Sequence, residues 1–196
     1  MILSQTLRRA VQQNAEGTAT IYKGRRQTWK AFSDRIARLA AGIEALLSES
    51  HARVAILSLN SDRYLEYFYA VPWAGGILNP VNIRLAPPEI AYTLNDSGSS
   101  VLFVDDAFSA MLPVLRPLLK TVEHVVFMGE GTRPEGCIDY ESLISESEPM
   151  ADKAKRISSV DRIRKMFDYL RQLNEPAREQ EVGNHLVDEG FKRDFG

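Results

Sequence analysis

Apolar residues recur along the chain in two alternating rhythms. Phe32, Ile36, Leu39, Ala40, Ile43 and Leu46 follow one another at spacings of three and four, so an amphipathic helix of several turns is expected there. Thr28 stands where it can cap that helix. Upstream, Leu3 to Val11 carries a helical pattern, and Thr18 to Tyr22, a turn at Lys23-Gly24-Arg25, and Gln27 to Trp29 suggest a hairpin.

Residues Val54 to Leu59 form a short, nearly continuous apolar run, as in a strand buried on both faces of a parallel sheet. Asn60-Ser61-Asp62 reads as a turn and helix cap. Tyr64 to Trp73 follows as a mostly apolar helix closed by Gly75-Gly76. Ile77 to Val81, Val101 to Val104 and His124 to Met128 are further short strand candidates. Between them Pro87-Pro88-Glu89 opens a helix running to about Asn95, and Phe108 to Leu119 is a helix that Pro113 and Pro117 should bend or break. Alternating strands and helices with short connections predict an α/β fold: a doubly wound, mostly parallel sheet flanked by helices. Ligands in such sheets bind beyond the carboxyl ends of the strands, here Asn60, Asn82, Asp105 and Gly129.

After Gly129 the rhythm weakens. Gly129 to Gly136 is loop, and Ile138 to Ile144 resembles a short closing element. The pattern divides the chain into a domain over 1–147, a polar linker over 148–155 and a helical tail over 156–196. In the tail, Val160, Ile163, Phe167 and Leu170 mark one helical face, and Val182 and Leu186 mark a second helix. A helical hairpin is expected.

Composition adds exclusions. The 196 residues are 44% hydrophobic and 26% charged, as in a globular protein. A formal net charge of -2 gives no overall electrostatic pull toward nucleic acid or an anionic membrane. No run of roughly 18 uncharged apolar residues calls for a membrane span. The first residues lack a secretory pattern, and the single cysteine, Cys137, excludes an internal disulfide and suits a reducing, cytoplasmic setting.

Candidate chemistry is sparse. His51, His124 and His185 have no metal-ligand spacing, so no metal site is expected. Asn82 and Arg84 follow a strand end and, with Asn60, are the candidates for a ligand cleft; Arg84 is equally suited to fixing its loop. Asp105-Asp106 offers carboxylates for a cation or ribose, or a helix cap. Tyr64, Tyr67, Phe68 and Tyr69 suit either a pocket wall or core packing. Gly75-Gly76 and Gly129-Glu130-Gly131 match no phosphate-binding fingerprint and read as turns. Cys137 lacks a basic neighbour in sequence that would activate it.

The segment from Val54 to Asp106 resembles the N-terminal subdomain of the adenylate-forming superfamily, most of all the AMP-forming acyl-CoA synthetases. The residues carrying the likeness are Thr28-Trp29 with Phe32 at the entry to the first long helix, Asn79-Pro80-Val81-Asn82 with Arg84-Leu85, Pro88-Glu89-Ile90, and Asn95-Asp96-Ser97. The resemblance covers roughly residues 3–147. It implies a ligation in which a carboxylic acid and ATP give an acyl-adenylate, which the thiol of coenzyme A then attacks, with Mg²⁺ assisting. The family's Ser/Thr/Gly phosphate loop ending in Pro-Lys and its late catalytic lysine have no counterpart here. No catalytic residue is carried over, and no cofactor is expected to be held by this chain alone. A truncated, inactive ligase portion is the leading expectation. The alternatives are a non-catalytic binding or interaction module and a frameshift or fusion product. Self-association through an uncovered subdomain face is expected of such a portion.

Overall fold

The computed structural model describes residues 3–49 and 51–152. The expected tail over 156–196 lies outside the described residues.

Helix α1 (Leu3–Asn14) leads into an antiparallel hairpin, β1 (Thr18–Tyr22) and β2 (Arg25–Thr28). Its two-residue turn, Lys23-Gly24, has positive φ at both positions (46° and 81°), the geometry that lets a tight turn follow the twist of its strands. Thr28 accepts the Ala31 N–H at 3.2 Å and starts α2 (Trp29–Leu46). The three-and-four spacing read from the sequence becomes a buried face of Phe32, Ile36, Leu39, Ala40 and Ile43. Each fully buried Leu, Ile or Phe contributes roughly 1.5–3 kcal/mol relative to exposure.

The sheet comprises β3 (Arg53–Leu57), β4 (Ile77–Pro80), β5 (Ser99–Val104), β6 (His124–Phe127) and β7 (Ile138–Asp139). Its order is β4-β3-β5-β6-β7, and every pair is parallel. The crossovers are α3 (Asp62–Trp73), α4 (Pro87–Ser97), and the single-turn helices α5 (Asp106–Ser109) and α6 (Leu112–Leu115). The last helix among the described residues is α7 (Tyr140–Ser145). Alternate strand residues feed two cores. Val54, Ile56, Val101 and Phe103 join α1, α2, α3 and α7 on one face. Ala55, Leu57, Leu102 and Val104 join α4, α5 and α6 on the other. This is a doubly wound sheet, as the alternation predicts.

Three local differences have physical causes. The run Val54 to Leu59 stops pairing at Leu57, because Ser58 and the Leu59 amide turn to bind Asp105. Phe108 to Leu119 is not one helix. Pro113 and Pro117 each stand in the first turn of a new short segment, α6 and a 3₁₀ turn at Arg116–Leu118. The β3–β4 ladder contains a side chain: the Tyr67 hydroxyl donates to the Val54 carbonyl at 2.6 Å and accepts the Asn79 N–H at 3.1 Å. On the open side of β4, Pro80 removes one donor from the edge.

Beyond α7 the chain runs back across the helices as far as residue 152. Arg38 donates to the Ser147 carbonyl at 2.9 Å, the Met150 N–H to Ala37 at 3.2 Å, and the Trp73 indole N–H to Met150 at 3.2 Å.

Candidate functional site

From β3 the chain crosses to β4 on one side and then to β5 on the other. The carboxyl ends of β3 and β5 therefore flank the topological switch point, where doubly wound sheets receive ligands. Here that place is taken by the side chain of Asp105. Its Oδ2 accepts the Leu59 N–H at 2.8 Å and lies 3.0 Å from the Ser58 hydroxyl, while Oδ1 accepts the Ala107 N–H at 3.0 Å. The capping role open to Asp105 in the sequence is the one realised, with a second function of tying two strand ends together.

The next carboxylate does the same one strand over. Asp106 accepts the Glu130 N–H at 2.7 Å on Oδ2 and the Gly131 N–H at 3.0 Å on Oδ1. A Cβ at Gly129 would stand 2.5 Å from Asp106 Oδ1, and one at Gly131 2.8 Å from it. The Gly-Glu-Gly turn is thus a small anion cradle whose occupant is the chain's own carboxylate. At both places the amide donors are committed to a carboxylate of the chain itself.

Behind this row lies a dense ionic cluster. Glu66, fully buried on α3, accepts Gln27 Nε2 at 3.0 Å, Arg35 Nε at 2.8 Å and NH2 at 3.1 Å, and the Tyr140 hydroxyl at 2.5 Å. Arg35 also reaches Glu141 through NH1 at 2.8 Å and NH2 at 3.0 Å. Arg25 forks onto Asp62 at 2.9 and 3.0 Å and pairs with Glu130. Arg63 donates to the Met128 and Gly129 carbonyls, both at 2.7 Å, and contacts Glu141 at 2.9 Å. The hairpin, α2, α3, α7 and the β6 end are thereby clamped together. Burial pushes the Tyr140 hydroxyl pKa well up, and the Glu66 charge adds to it. Burial also pushes the Asp62 and Glu141 carboxyls up, but the guanidinium partners outweigh it and leave both below the ordinary range. For Asp62 the partner is Arg25; for Glu141 it is Arg35 and Arg63. Sequence reasoning did not single out Glu66. The available signal was one acid inside the run Tyr64 to Tyr69, which is otherwise aromatic or aliphatic.

The cleft candidates sit apart from that cluster, at the ends of β3 and β4. Asn60 is exposed in the turn before α3. Asn82 is exposed after β4, and its Oδ1 accepts the Arg84 N–H at 3.0 Å, so the loop is shaped by Asn82. The Arg84 side chain is exposed. Exposed aliphatic residues flank them: Leu59, Leu65 and Ile83. Of the aromatic run on α3, Tyr67 is core, and Tyr64, Phe68 and Tyr69 pack against the same core. Cys137 is buried, with Arg116 NH2 3.2 Å from its sulfur. No His, Cys or acidic cluster with metal-holding geometry occurs among the described residues.

Residues 7–179 match the family model described as AMP-binding enzyme. The long-chain-fatty-acid–CoA ligase of Thermus thermophilus is 40% identical over 121 residues, 62% of this chain and 22% of that protein. The peroxisomal benzoate–CoA ligase of Arabidopsis thaliana is 32% identical over 160 residues, 77% of this chain and 28% of that protein. The crystal structure of the anthranilate CoA ligase AuaEII with anthranoyl-AMP aligns with a TM-score of 0.71 at 26% identity, over 78% of this chain and 29% of that one. The chain spans about a quarter of the length of the curated relatives it matches, 22% and 28% for these two.

Proposed function

The chain belongs to the AMP-binding enzyme family, and from that premise we propose that it supplies the opening scaffold of an AMP-forming acyl-CoA ligase and catalyses no adenylation by itself. The observation that carries this reading is the occupancy of its strand ends. Asp105 and Asp106 accept the amides of Leu59, Ala107, Glu130 and Gly131, so these strand-end donors are satisfied within the chain. Adenylation concentrates negative charge on the α-phosphate, and stabilising it needs free amide donors, a cationic side chain and Mg²⁺ in one place. In this reading ATP, Mg²⁺ and coenzyme A bind elsewhere in a complete ligase, and a carboxylic acid is the substrate there. The chain works in the reducing cytoplasm, in fatty or aromatic acid activation like that named for its relatives. Asn60, Asn82 and Arg84 face the site where the rest of such an enzyme meets this portion.

Purified chain incubated with ATP, Mg²⁺ and a panel of short, long and aromatic carboxylates should release no pyrophosphate above buffer. Chain-dependent release that tracks one carboxylate would overturn the proposal.

Exposed aliphatic side chains favour a second reading, self-association. Leu59, Leu65, Ile77 and Ile83 belong to β4 or to the turns and helix beside it, and each is 39–48% exposed. Light scattering over a concentration series should show mass rising with concentration; a monomer throughout contradicts it.

A further inference from the structure

The inward face of the hairpin holds two polar atoms that the ionic cluster does not use. Thr20 of β1 and Gln27 of β2 are cross-strand partners, so both point to the same face as Tyr22 and Arg25. Ile21 and Arg26, between them in the register, are exposed on the other face. Thr20 Oγ1 and Gln27 Oε1 are buried, and neither has a hydrogen-bond partner in the protein, the other included. Directly opposed strand residues hold their Cβ atoms about 5 Å apart, so the two oxygens open on one small space under the hairpin. The orientation of Gln27 is fixed by its other end. Nε2 donates to Glu66 Oε1 at 3.0 Å, and a carboxylate only accepts, so the amide cannot be turned end for end. Its buried oxygen therefore calls for a donor, and the Thr20 hydroxyl for an acceptor.

We propose that Thr20 and Gln27 hold one internal water molecule, which donates to Gln27 Oε1, accepts from the Thr20 hydroxyl, and so ties both strands of the hairpin to the Glu66 cluster through the Gln27 amide. The chemistry favours water over a small cation. The carboxylates at hand already have guanidinium partners, Glu66 with Arg35 and Asp62 with Arg25. An added positive charge would stand beside two arginines without a free anion to offset it. Water is neutral, and it supplies at once the donor that the amide oxygen lacks and the acceptor that the hydroxyl lacks. Two such bonds lie within the range of about two to four that an internal water makes. Without the water, the pairing of Thr20 with Gln27 would leave two unsatisfied oxygens next to a fully buried carboxylate.

The test joins a high-resolution crystal structure of the full chain with urea unfolding of the Thr20→Val variant. Density for one water is expected at hydrogen-bonding distance, about 2.7–3.2 Å, from both oxygens. Valine keeps the branched shape of threonine and suits a strand equally well, so the substitution removes little but the hydroxyl. With the water held, it takes away one of the water's partners and should lower the urea midpoint by about 0.5 M at an ordinary urea slope. With a dry space, it would delete an unsatisfied hydroxyl, and the midpoint would stay or rise. Midpoints of the parent chain should agree in sodium, potassium and choline chloride at equal ionic strength. Four results would each overturn the proposal: no density between the two oxygens, density bonded to only one of them, a Thr20→Val midpoint at or above the parent's, or a parent midpoint raised by one particular small cation. The last result would assign the site to that cation.

Discussion

The carboxyl end of the sheet is two regions with opposite characters. Around β5, β6, α3 and α7, the charged groups Asp62, Glu66, Asp105, Asp106, Arg25, Arg35 and Arg63 all have partners. Around β3 and β4, Asn60, Asn82, Ile83 and Arg84 point to solvent. A partnered charge inside a low-dielectric clamp fixes geometry and resists exchange, because removing one member strands the others. An exposed polar loop is cheap to change and is available to meet something else. Ligands of doubly wound sheets usually sit at the switch point; here Asp105 ties the two strand ends together there, and the exposed polar residues lie on the β4 side.

The sharpest way to break this contrast is to attack the clamp at its centre. Glu66→Ala leaves Arg35, Gln27 and the Tyr140 hydroxyl without their shared acceptor. It should cost about 3 kcal/mol in urea unfolding, the low end for a broken buried pair because Arg35 keeps some solvent. Glu66→Gln should cost less. A loss under about 1 kcal/mol for Glu66→Ala would mean that the cluster is ornament.

Acid should act on the same region. The folded pKa values of Asp62 and Glu141 are depressed by their guanidinium partners. Their contribution is therefore complete above the unfolded carboxylate range, near pH 4, and is lost as pH falls through the lower folded values. Urea midpoints should be flat from about pH 7 to 5 and fall below about pH 4. In Arg25→Ala the part of that fall belonging to Asp62 should shrink.

Asp106→Ala frees two backbone donors at the Gly129–Gly131 turn. Both lie near solvent and can be hydrated, so a cost of about 1 kcal/mol is expected. Added formate should recover part of it by entering the vacated cradle, measured as a rise in the unfolding midpoint that the parent chain does not show. Smallest of all, Arg84→Ala on the open side should change stability by less than about 0.5 kcal/mol. A larger cost would move Arg84 from the open region into the scaffold.

How much of this could be read from the sequence follows from the distance between partners. Local signals were legible. Thr28 and Ser61 cap the helices that follow them, and the spacing of Phe32, Ile36 and Ile43 names the buried face of α2. The strand runs and their alternation with helices gave the doubly wound sheet, because a buried strand and an amphipathic helix announce themselves within ten residues. The prolines at 113 and 117 marked trouble in Phe108 to Leu119 without fixing where each turn would end. The Glu66 cluster was not legible, since its partners stand 31, 39 and 74 residues away. Nor was the filling of the switch point. Asp105 and Asp106 look alike in sequence to a cap and to a ligand site, and only the positions of Leu59 and Gly131 decide between them.

The central claim is that these strand ends are closed by the chain's own carboxylates. It is tested most directly by following the backbone amide resonances of Leu59, Ala107, Glu130 and Gly131 while Mg²⁺·ATP is titrated into the full chain. The account predicts that all four stay where they are at every nucleotide concentration. Saturable shifts of those four amides, reduced in the presence of pyrophosphate, would contradict it and return the switch point to ligand binding.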